Sequence, residues 1–86
     1  MVDETIEDLK SKLNTFSPFV GKKIKHDASL GYYHIVMFVL IEQTLAVHVI
    51  YESAHRPPIR WSRPVQELFD GRFTFMPAGD RDDPSL

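Results

Sequence analysis

The stretch 32–41 constrains this chain more than any other, because it is apolar on both faces, with His34 almost its only polar residue. A run so rich in β-branched and aromatic side chains reads as a central β-strand. Such a strand must be covered on both sides. Its most apolar part, 35–41, is far too short to cross a bilayer. Glu42-Gln43-Thr44 then supplies a short polar turn, and 45–52 alternates cleanly. Leu45, Val47, Val49 and Tyr51 take one face, and Ala46, His48 and Ile50 the other. The spacing predicts an antiparallel hairpin over 32–52.

With 86 residues there is room for one domain, whose small core leaves a thin stability margin. Ahead of the hairpin, Ile6, Leu9, Leu13 and Phe16 recur every three or four residues. This predicts an amphipathic helix over 3–16, N-capped by Asp3 and stopped at Ser17-Pro18. The stripe has to pack on the sheet or on a second chain. A first strand is expected at 20–25, with a turn at Ser29-Leu30-Gly31. Beyond the hairpin, 59–63 reads as a short strand with Ile59 and Trp61 facing inward. Pro64 opens a single 3₁₀ turn over 65–69, Asp70-Gly71 is a turn, and 72–75 is the last strand. This order predicts a mainly β (α+β) fold: a small SH3-like, five-stranded antiparallel barrel with an N-terminal amphipathic helix. The alternative is an open, curled antiparallel sheet with the helix across one face. The expected division is a helix region at 1–18, the barrel at 19–76 and a disordered polar tail at 77–86.

Several function classes fall away on composition. Without cysteine there is neither a disulfide framework nor a thiolate metal site, which favours the cytoplasm. The acidic start Met1-Val2-Asp3-Glu4 does not read as a signal peptide. A net charge of -2 argues against wholesale nucleic-acid binding. His26, His34, His48 and His55 sit at no metal-ligand spacing, although His34 and His48 are expected to face each other across the hairpin. No nucleophile elbow and no phosphate loop is present, so neither catalysis nor a cofactor is expected.

The segments Lys25-His26, Gly31, Tyr33-His34-Ile35-Val36, Val49-Ile50-Tyr51, Trp61-Ser62-Arg63-Pro64 and Leu68-Phe69 follow one another without a gap from Tyr33 to Phe69. In this pattern the chain resembles the small bacterial proteins of the domain of unknown function 1653 family. The resemblance covers roughly half the chain, leaves the helix outside, and implies a fold with no activity attached. At the hairpin turn, where that family has His-Ser-Glu-Thr, this chain reads Ile41-Glu42-Gln43-Thr44, and its Gly-Asp is replaced by Arg56-Pro57.

One cluster suits an anionic ligand, such as a nucleotide, a nucleic-acid strand or an acidic peptide. It comprises Arg56, Arg60, Trp61 and Arg63, with Tyr32 and Tyr33 as stacking surfaces, joined by Lys22, Lys23 and Lys25 of the first strand. Against this stand two structural expectations: Trp61 fills the core, and Arg63 pairs with Glu67 four residues on. The expectation is a non-enzymatic binding or interaction module, self-associating as a homodimer through the outer face of the hairpin, with no membrane partner.

Overall fold

The computed structural model describes residues 5–77. Helix α1 spans Ile6–Asn14. Thr5 caps it: its hydroxyl accepts from the Asp8 N–H at 3.1 Å, while the Asp8 carboxylate accepts from the Thr5 N–H at 3.2 Å. This reciprocal pair satisfies two of the groups that a helix start leaves unpaired. Asp3, the expected cap, lies outside the described residues, as does all but Pro77 of the tail expected over 77–86. A 3₁₀ turn over Ser17–Phe19 follows, with Pro18 where a missing N–H does no harm.

Five strands then form one antiparallel sheet: β1 (Lys23–His26), β2 (Gly31–Leu40), β3 (Val47–Ser53), β4 (Arg60–Pro64) and β5 (Phe73–Phe75), in the order β4-β3-β2-β1-β5. The predicted hairpin is β2–β3, and Leu45, expected in its second strand, instead takes a left-handed φ of 59° in the turn. A bulge between Ile35 and Met37 restores the alternation, so that Ile35, Phe38 and Leu40 share the inner face with Tyr51, Val49 and Val47. A second 3₁₀ turn, Val65–Leu68, puts Leu68 fully into the core.

The sheet is open, since no ladder joins β4 to β5, but it is strongly curled. In a flat sheet β3 and β5 would lie about 14 Å apart. Here the rings of Tyr51 and Phe73 meet at 5.4 Å, and the Arg63 guanidinium of β4 lies 5.5 Å over the Phe73 ring. The curl encloses Ile24, Ile35, Val49, Tyr51, Leu68 and Phe73. At the hairpin end, Phe16 stacks on Phe38 at 5.2 Å and on Phe69 at 6.2 Å. Lys12 Nζ donates to the Leu45 carbonyl at 3.1 Å. Helix α1 therefore closes the inner side of the sheet, not the outer face of the hairpin. None of its residues is fully buried, and Ile6 is 66% exposed.

The expected burial of two β4-side residues is corrected. Trp61 is 48% exposed and Ile59 45% exposed. Trp61 does point to the inner face, opposite Tyr51, but β4 is the edge strand, and among the described residues no strand lies beyond it to complete the burial.

Candidate binding site

At the end of the curl away from the helix, the core does not close. A cleft of about 220 Å³ is lined by His26, Ser29, Tyr33, Tyr51, Trp61 and Arg63. Four strands or their ends contribute, and their alternation decides which side chains arrive. Tyr33, Tyr51, Trp61 and Arg63 are inner-face residues of β2, β3 and β4, and His26 ends β1 on that face. The rings are mutually braced. Tyr33 meets Tyr51 edge-on at 5.2 Å, and His26 leans on Phe73 at 5.0 Å. Gly31 lets the Tyr33 ring lie back over its own strand, because an added Cβ there would sit 3.0 Å from the Tyr33 hydroxyl.

Arg63 is tied from two sides. Its Nε donates to the Tyr51 hydroxyl at 2.8 Å and a terminal nitrogen donates to Glu67 at 2.8 Å. The Tyr51 hydroxyl, then the Glu67 carboxylate, hold the guanidinium above its ordinary pKa, so it stays charged. The expected Arg63–Glu67 pair is present, and it compensates the charge at the cleft. The walls therefore offer aromatic faces with a few fixed polar groups at the edge. His26 Nδ1 lies 2.8 Å from the Ser29 hydroxyl, which orients the imidazole.

The residues expected to bind an anion divide between two faces. Lys23, Lys25, Tyr32 and Arg60 share the outer face: Lys23 stands opposite His34, Lys25 opposite Tyr32, and Arg60 opposite Glu52. Arg56 borders that face, lining a shallow cleft with His34 and Glu52. Arg63 lies on the inner face and does not join them. Within the outer face two of the cations, Arg60 and Lys23, are already engaged. Arg60 Nε donates to Glu52 at 2.9 Å, His34 Nε2 lies 3.9 Å from the same carboxylate, and Lys23 Nζ sits 4.9 Å over the Tyr32 ring. His34 and His48 do not face each other: the register pairs His34 with Glu52 and His48 with Val39.

Alternation alone could have placed Tyr33 and Tyr51 inward beside Ile35 and Val49. That His26 and Ser29 meet β4 depends on the curl, for which no local signal exists. No helix among the described residues is long and apolar enough to cross a membrane. No family model, curated protein or solved structure matches this chain.

Proposed function

We propose that this chain is a small, non-enzymatic binding module that receives a flat, uncharged ring in the cleft between Trp61 and Tyr33. The observation that carries this is the half-exposed Trp61, standing at the mouth of an aromatic-floored opening where an inert barrel would have closed. A large apolar side chain left in water beside a ready stacking surface gains on contact with a second ring. Because Arg63 is compensated by Glu67, the cleft favours neutral rings over free anions. In this reading the curled sheet is the open form of an SH3-like barrel. The Tyr33–Phe69 resemblance to the domain of unknown function 1653 family supports that architecture.

Trp61 is the chain's single tryptophan, so its emission reports the cleft directly. Titration with adenosine and with N-acetyl-phenylalanine amide is expected to give a saturable change in Trp61 emission, abolished in Tyr33→Ala with the fold intact. No saturable change with either probe up to millimolar concentration would remove the reading.

A second reading has its own observation: Lys23, Lys25, Tyr32 and Arg60 stand on one outer face. A single nucleic-acid strand lying there would lose affinity steeply with salt and on Lys25→Ala. It would leave the Trp61 emission largely unmoved, since Trp61 points to the other face.

A further inference from the structure

The sheet ends in β4, and the direction of each of its backbone groups follows from one hydrogen bond. The Ser53 N–H donates to the Ile59 carbonyl at 2.9 Å. Residues 59, 61 and 63 therefore turn their N–H and C=O groups toward β3, and Arg60, Ser62 and Pro64 turn theirs outward. Among the described residues no strand pairs with that edge. It presents the donors and acceptors of Arg60 and Ser62, while the Pro64 carbonyl, at the N-cap of the second 3₁₀ turn, accepts within its own chain. Pro64 sits opposite His48, at a position where no N–H is needed for the β3 ladder, as an edge strand permits.

This edge is complementary to itself. We infer that two copies of the chain pair β4 against β4, antiparallel, about a two-fold axis at Ser62. In that register Ser62 exchanges both hydrogen bonds with the partner copy's equivalent residue. The Ser62 pair is the centre of the contact, because Pro64 has no N–H to give and its carbonyl closes the 3₁₀ turn of its own chain. The proline also stops the ladder from extending. Side chains agree: on the inner face each Trp61 stands directly opposite the other copy's Arg63, within reach of a cation–π contact. The half-exposed indole is thereby covered, and the second copy adds a wall to each cleft. The outer face of the hairpin is the poorer candidate, since the row Lys23, His34, Glu52, Arg60 crosses it and leaves only Met37, Val39 and Ile50 as an apolar strip. The edge pairing stands independently of what the cleft binds: a monomer that still responds to adenosine would refute this inference and leave the proposed function intact.

The test is the mass in solution, by light scattering or sedimentation at micromolar concentration, against the 9.9 kDa of one chain. The full chain is expected to run as a dimer. Ser62 is exposed, so Ser62→Lys and Ser62→Glu keep the fold, checked by circular dichroism. Each places like charges face to face and should raise the dissociation constant about tenfold or more. Mixing the two variants should restore a dimer that contains one of each. A monomeric wild type, a dimer indifferent to both substitutions, or masses above a dimer from head-to-tail pairing of β4 with β5 would each overturn the inference.

Discussion

Trp61 separates what a single residue's chemistry predicts from what its position allows. Read as the sole tryptophan of a small barrel it belongs in the core, and full burial would make its truncation cost about 3–5 kcal/mol. In the structure it is 48% exposed on an edge strand. Trp61→Ala is therefore expected to cost only about 1–2 kcal/mol, the share that half of its contact area supplies. Thermal unfolding decides between the two figures, and a cost above the lower range would return the indole to the core. The direction of the side chain was legible, because 59–63 alternates; its burial was not. Burial depends on whether a further strand follows β4 in space, and strand order is not written into any local pattern. Arg63 shows the opposite case. Its four-residue spacing to Glu67 made the pair visible in advance, and the 3₁₀ turn of Val65–Leu68 delivers it at 2.8 Å.

At the scale of elements, α1 shows how little a helix needs to be held. Its nine residues are too few to be stable alone in water. What holds it is the Phe16 ring against Phe38 and Phe69, the Lys12 bond to the Leu45 carbonyl, and the Thr5–Asp8 cap. The apolar stripe and the stop at Ser17-Pro18 were readable from spacing, β2 from its unbroken β-branched and aromatic run, and β3, β4 and the second 3₁₀ turn from alternation and proline. The site of docking was not, because the same stripe suits either face of the hairpin. Phe16→Ala is expected to cost about 2 kcal/mol, since the ring is only partly buried. Hydrogen exchange provides the sharper reading: amides over residues 9–14 should lose protection while those of β2 and β3 keep theirs. Equal protection throughout, before and after substitution, would mean that the helix is held by contacts other than Phe16.

For the molecule as a whole, the curl is the property on which everything else depends, and it rests on few side chains. The backbone ladders fix the order of neighbours, but they do not bring β5 within reach of β3 and β4. Phe73 does so. Its ring meets Tyr51 at 5.4 Å, His26 at 5.0 Å and the Arg63 guanidinium at 5.5 Å, which joins β5 to β3, β1 and β4 at one point. The ring is 7% exposed, and it belongs to the three-residue strand β5, the shortest in the sheet. Removing it takes away a buried aromatic and leaves a cavity beneath the cleft, since the short strand offers little else to collapse into the space. Phe73→Ala should therefore cost about 3–5 kcal/mol, a large part of the total stability of a domain this size. The cleft should fail with it, because Tyr51 and Arg63 lose the surface on which they rest. Urea unfolding measures the first effect and the adenosine response of Trp61 emission the second. A Phe73→Ala protein within about 1 kcal/mol of wild type would show that the sheet keeps its curl through backbone twist alone.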